Sequence, residues 1–343
     1  MFSNLKKVID NSGMILEKNE LNELFNKIMN FFENLEKKRL NLISKKDKKN
    51  IKKKSPDDDS DDENLNELID EDIESIENIQ SEIADTIGIL FKTYKPISDN
   101  IIKIILENVL PKYINSTSNF EMKMGLYITD DLIEYLGQDI LNNVWNDLYN
   151  LITNLCKKDD CEIRQSASYG IGVFAKFTNN NFDNYCEGLL NALKEGMNFK
   201  YNEDNDDEYY FGLAFDNIIA SFGKIMFYHF DSKIVQKYIN ELVNIWINNL
   251  PLKYDNSEGE QQHEWLCDVF LLKREIIPEK CYNQMFKNLI IIYNSKYSNS
   301  KINQKIIQIF NIVKNDNNLK NIVQQIYDSC EQNIKVKLEI LSK

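Results

Sequence analysis

The sequence predicts an all-α protein built as a line of antiparallel helix pairs, and three observations carry that expectation. Only 11 Gly and 5 Pro occur in 343 residues, too few turn formers to punctuate a strand-rich fold. Apolar residues, 43% of the chain, fall at steps of three and four, the helical period, rather than two. The stripes also come in pairs, whose first helices are expected to begin near residues 119, 160, 208, 260 and 300, a recurrence of about 40 to 50 residues. A pair of this size cannot hide its apolar stripe alone and has to stack on its neighbours, which gives an alpha-alpha superhelix of the HEAT/armadillo type.

Taken in order, Leu21, Leu24, Ile28, Phe32, Leu35 and Leu42 mark a long helix that runs into the lysine-rich stretch 45–54. The block Ser55-Pro56-Asp57-Asp58-Asp59-Ser60-Asp61-Asp62-Glu63 has no apolar residue, so it cannot repay its ordering entropy by burial and is expected to be mobile. Ser55, before a proline, and Ser60, before acids, fit phosphorylation patterns that would add negative charge there. From Leu65 the stripe resumes through Ile69, Ile76, Ile83 and Leu90, and Pro96 is expected to end it, with 101–110 completing the repeat. The organisation expected is therefore a partial HEAT repeat over 1–50, a charged flexible loop over 51–63 and a continuous array over 64–343.

Further on, Met122 to Leu136 and Ile140 to Leu155 form one hairpin. Ile163, Ala167, Gly170, Phe174 and Phe177 form the next stripe, answered by Phe182, Cys186, Leu189, Leu193 and Met197. Phe215, Ile218, Phe222 and Ile225 pair with Val235, Ile239, Leu242 and Trp246. Leu266 and Phe270 pair with Cys281, Met285, Leu289 and Ile292, and Ile302 to Val313 with Leu319 to Cys330.

Chemistry-bearing motifs are missing. The six cysteines lack the close pairing of a zinc site and are expected as buried free thiols. The two histidines, His229 and His263, are expected as ordinary helical residues. Gly170-Ile171-Gly172-Val173-Phe174-Ala175 fits the G-x-G-x-x-A spacing of a dinucleotide site, but polar Arg164-Gln165-Ser166 stands where a strand should precede it. The segment is expected instead to be a packed helix face whose small residues let a neighbouring backbone approach closely. No P-loop, H-E-x-x-H, G-x-S-x-G or EF-hand pattern occurs, so neither an enzyme nor a cofactor is expected. The amino-terminal residues lack a signal-peptide pattern and no apolar run reaches membrane-spanning length, so a soluble intracellular protein without membrane insertion is expected. A formal net charge of -13 disfavours direct nucleic-acid contact and attracts basic partners.

Three segments together resemble the importin-beta (karyopherin-beta) family, in particular its beta-3 branch. They are Ile163-Arg164-Gln165-Ser166-Ala167-Ser168-Tyr169-Gly170-Ile171-Gly172-Val173, Ala220-Ser221-Phe222-Gly223-Lys224-Ile225-Met226, and Trp246-Ile247-Asn248-Asn249-Leu250-Pro251-Leu252-Lys253-Tyr254-Asp255. The first is also a general HEAT signature, with Asp159 or Asp160 in the preceding turn placed to pair with a neighbour's arginine. The resemblance implies the carboxy-terminal part of a nuclear import receptor. Such a receptor carries basic cargo such as ribosomal proteins or histones, binds Ran-GTP, contacts phenylalanine-glycine (FG) nucleoporins, and moves between cytoplasm and nucleus through the pore.

With the second helices taken as the inner surface, Trp246, Glu241 and the loop acids Asp255, Glu258 and Glu260 are the candidate contacts for a basic partner. A HEAT scaffold for a kinase, phosphatase or coat complex, with no dependence on Ran, shares the same fold and is the alternative.

Overall fold

Residues 2–52, 59–94, 99–179, 181–203 and 207–342 are described in the computed structural model. Among them every regular element is helical, and none is long and apolar enough to cross a membrane. The chain divides into two units, Met1–Leu141 and Asn142–Lys343.

The first unit holds α1 (Phe2–Ser12), α2 (Lys18–Lys52), α3 (Asp59–Thr93), α4 (Asp99–Ile104), α5 (Leu110–Ile114) and α6 (Asn119–Leu141). Helix α1, unforeseen from sequence, packs on α3 through buried Phe2 and Ile9. Helices α2 and α3 both run into the stretch expected as a loop, covering 51–52 and 59–63. Charge explains it. Lysines crowd the carboxyl end of α2 and acids the amino end of α3, the placement that the helix macrodipole favours. Residues 53–58, which include Ser55, and 95–98, which include Pro96, lie outside the described residues.

Buried Arg39 of α2 ties the unit together: its guanidinium reaches Glu36 at 2.9 Å, Glu77 of α3 at 3.3 Å, and Glu121 of α6. Between α4 and α5 the chain makes a π turn over Ile105–Val109, where the N–H of Leu110 donates to the carbonyl of Ile105. Pro111 follows at once; lacking an N–H and crowding the preceding turn, it does not fit an unbroken α-helix. Helix α6 bends at Gly137, where φ is 73°.

The second unit is the stack. It comprises α7 (Trp145–Leu155), α8 (Cys161–Phe177), α9 (Asp183–Met197), α10 (Glu208–Tyr228), α11 (Lys233–Asn248), α12 (Asn256–Leu272), α13 (Tyr282–Ile292), α14 (Ser300–Val313), α15 (Asn317–Ser329) and α16 (Gln332–Leu341). Helices α8, α10, α12 and α14 pack in series as one layer, and α7, α9, α11, α13 and α15 as the other, while α16 rests on α13 and α15. First helices start at residues 161, 208, 256 and 300 in this unit.

Side-chain oxygens fix most of these starts. Asp160, Asp207, Ser232, Asp255, Asn299 and Asp316 each accept a backbone N–H of the helix that follows, a cap worth about 1 kcal/mol apiece. Between the layers, stacked and edge-on rings form a spine: Trp145 meets Phe174 at 4.4 Å, Phe270 meets Phe286 at 5.8 Å, and Phe286 meets Phe310 at 6.1 Å.

The Gly170–Ala175 segment lies inside unbroken α8, so the dinucleotide spacing is a helix face. At Gly172 an added Cβ would stand 2.7 Å from both Ser221 Oγ and Lys224 Cδ of α10. Only glycine permits that approach, and it lets Ser221 Oγ donate to the Ser168 carbonyl at 2.6 Å. Cys156, Cys186, Cys267 and Cys281 are buried free thiols, while Cys161 and Cys330 are half-buried.

Candidate functional site

Of the residues expected to meet a partner, three belong to one polar network at the junction of α10, α11 and α12. Trp246 has no exposed surface, and its Nε1–H donates to Gln262 Oε1 at 2.8 Å. Its expected partner contact therefore gives way to a packing role: it continues the apolar stripe of α11, and burying the ring is worth about 3 kcal/mol. Glu258 is buried against Lys224, 2.5 Å away, and the ammonium of Lys224 lies 5.0 Å over the Tyr169 ring of α8. Asp255 caps α12 through Oδ1 at 3.0 Å from Glu258 N, and its Oδ2 accepts from Asn217 Nδ2 at 3.1 Å.

The other two face solvent. Glu241 is exposed and pairs with Lys194 of α9 at 2.7 Å. Glu260 is exposed on α12, where Asn299 Nδ2 donates to its carboxylate at 3.4 Å.

Besides Asn217 and Gln262, three network residues escaped the sequence reading. Buried Asp216 accepts the backbone N–H groups of Lys253, Tyr254 and Asp255 at 2.8, 2.6 and 3.0 Å through one oxygen, and so fixes the segment between α11 and α12. Burial pushes its carboxyl above the usual aspartate range, against the pull of those amides. Its signal was an acid between Phe215 and Ile218 on an apolar helix; Lys224, between Gly223 and Ile225, gave the same kind of signal.

His263 is the third. Leu252 N–H donates to its Nε2 at 3.0 Å, which requires that nitrogen to be bare, so Nδ1 carries the proton and donates to the Tyr297 carbonyl at 2.9 Å. Burial lowers its pKa to about 4, against the opposing hydrogen bond to Tyr297. His229 instead closes α10 as its C-cap and stacks flat on Phe182.

Chemically, this is a network of mostly spent groups. Most of its donors and acceptors are engaged with one another, although Asn217 Oδ1, Glu258 Oε2 and Gln262 Nε2 are buried without a hydrogen-bond partner, and it offers a shaped support rather than a nucleophile with a base beside it. Among the described residues no group of three or more His, Cys, Asp or Glu is placed to hold a metal ion.

No family profile matches the chain. Over 213 residues, 61% of its length, it is 24% identical to importin subunit beta-3 of Saccharomyces cerevisiae, of which the match covers 18%. A structure of the karyopherin Kap121p bound to the SUMO protease Ulp1p aligns with 99% of this chain and 28% of its own, at a TM-score of 0.68 and 16% identity. Kap121p bound to Nup53p aligns with 94% of this chain and 26% of its own, at a TM-score of 0.63 and 15% identity. The chain thus spans less than a third of the length of these relatives, and the solved structures share its fold of stacked helix pairs.

Proposed function

We propose that the chain is a member of the importin-beta family and serves as part of a nuclear transport receptor that takes up basic protein segments. The likeness to importin subunit beta-3 over 61% of the chain carries the reading. A net charge of -13 supports it, since acidic surfaces attract lysine-rich and arginine-rich partners and steer their approach. Kap121p, which shares the fold, has been solved with Ulp1p, with Nup53p and with the extreme C-terminus of the protein phosphatase Cdc14p. A protein of this fold solved with several partners supports an analogous role here, with ribosomal proteins or histones as cargo and FG nucleoporins as contacts at the pore. Ran-GTP release and shuttling between cytoplasm and nucleus belong to the same proposal.

Within it, Glu241 and Glu260 are the acids placed to face a partner, and Trp246, Asp255 and Glu258 hold the helices that carry them. The deciding experiment is a pulldown from nuclear extract with the full-length gene product, with and without GTP-locked Ran. Basic proteins retained without Ran and shed with it are the expected result. Retention indifferent to Ran would favour a scaffold for a kinase, phosphatase or coat complex.

A further inference from the structure

Beside the network, the loops before α10 and α12 frame a cleft of about 460 Å³. Its walls are the rings of Tyr201, Phe211, Phe215 and Tyr254, and Glu208 and Lys253 also line it. Tyr201 meets Phe211 edge-on at 5.5 Å, and the Tyr254 hydroxyl donates to Glu208 at 3.4 Å. Tyr201 is 41% exposed, so ring surface remains open to a ligand.

A second cleft, of about 780 Å³, is lined by Asp159, Asp160, Glu162 and Asp207, with Lys200 as its basic residue. The two share a wall, because Tyr201 and Glu208 line the first while Lys200, Asn202 and Asp207, their neighbours in sequence, line the second. In that wall the Arg164 guanidinium lies 4.5 Å from the centre of the Phe199 ring and 5.5 Å from that of Phe211. Phe211 thus already carries one guanidinium and lines the open cleft as well.

We propose that the paired clefts bind an extended basic segment of a partner protein, with an arginine side chain stacked among Tyr201, Phe211 and Tyr254 and met by Glu208, and its basic neighbours lying along the acidic cleft. This rests on the reading of the chain as a receptor for basic segments and adds where, and by which side chain, one is held. Arginine suits the aromatic cleft better than lysine. Its planar, weakly hydrated cation stacks on rings and can meet a carboxylate with two parallel hydrogen bonds, whereas an ammonium keeps its water. Four acids against one lysine in the second cleft match a positive segment and repel phosphate.

The test is fluorescence anisotropy at low salt with the whole chain and three labelled peptides: one arginine flanked by lysines, its all-lysine counterpart, and a phenylalanine in place of the arginine. The arginine peptide is expected to bind about tenfold tighter than the lysine peptide, and Tyr201→Ala or Glu208→Gln to remove that preference while leaving lysine-peptide affinity in place. Equal affinity for arginine and lysine peptides, or a preference untouched by both substitutions, overturns the cleft and leaves the receptor reading standing. Tightest binding of the phenylalanine peptide overturns the arginine assignment. Failure of the native chain to bind any basic peptide overturns the receptor reading together with this site. The peptide comparison on the native chain needs no variant to fold.

Discussion

The ammonium of Lys224 on α10 stands 2.5 Å from the carboxylate of Glu258 on α12, and the two side chains expose 7% and 10% of their surface. Removing one partner strands the other charge inside. Lys224→Met is therefore expected to cost about 3–5 kcal/mol in urea unfolding, and the double substitution Lys224→Met with Glu258→Leu to recover most of it. A double variant as weak as the single one would mean that packing volume, not charge pairing, sets the cost.

Gly223 makes room for the hydrogen bond between Trp246 and Gln262. A Cβ there would lie 2.1 Å from Gln262 Oε1 and 2.7 Å from Trp246 Nε1. Alanine gains about 1 kcal/mol of helix propensity but loses that bond and overpacks the junction. Gly223→Ala is expected to lower stability by about 1–3 kcal/mol net, read by thermal unfolding. An unchanged or raised midpoint would show that the junction yields.

His263 gives the fold a pH dependence of definite sign. Its pKa is about 4 folded, against an ordinary value of 6.5, so between those limits the unfolded chain binds the extra proton. Stability from this group is complete above pH 6.5 and drains away as pH falls through 4, by about 3 kcal/mol in all. Urea unfolding across that range should show the loss, and His263→Gln should flatten it. An equal slope in the variant would assign the loss to other groups.

Asp131 works in the opposite sense. Burial, with Glu134 and Asp85 adding repulsion, raises its pKa to about 8, so the folded chain holds a proton that the unfolded chain has released above about pH 4. Its contribution is greatest in acid and is lost as pH rises through 8. Asp131→Asn should therefore stabilise the protein by on the order of a few kcal/mol at pH 9, with the advantage shrinking toward pH 4. A constant difference at all pH values would exclude titration as its cause.

Much of the stack was readable because burial on one face of a helix writes itself as steps of three and four. The pairs from α8 to α15 follow those stripes. Helices α1 and α16 did not register; each is short and buries two side chains, Phe2 with Ile9 and Leu338 with Leu341. At the site, one boundary decided the outcome. Helix α12 starts at Asn256 rather than near 260, so Asp255 and Glu258, read as loop acids, became a cap and a buried ion. The order Asp255-Asn256-Ser257-Glu258 resembles a capping box and carried the signal. Trp246 shares its stripe with Val235, Ile239 and Leu242, and periodicity alone does not say which face of a helix a partner meets. Asp216 and Lys224 were out of reach for another reason: a polar residue on an apolar helix announces that it has a partner, not which one.

The wide turn at 105–109 resets the phase of its helix. Ile101 and Ile105 keep the ordinary four-residue step, but the extra residue rotates everything beyond by about 100°, so that Val109, Leu110 and Tyr113 are all buried and the Tyr113 ring lies edge-on to Phe32 at 6.4 Å. One segment therefore grips its surroundings along two directions instead of one, as a thread cut at two pitches resists backing out.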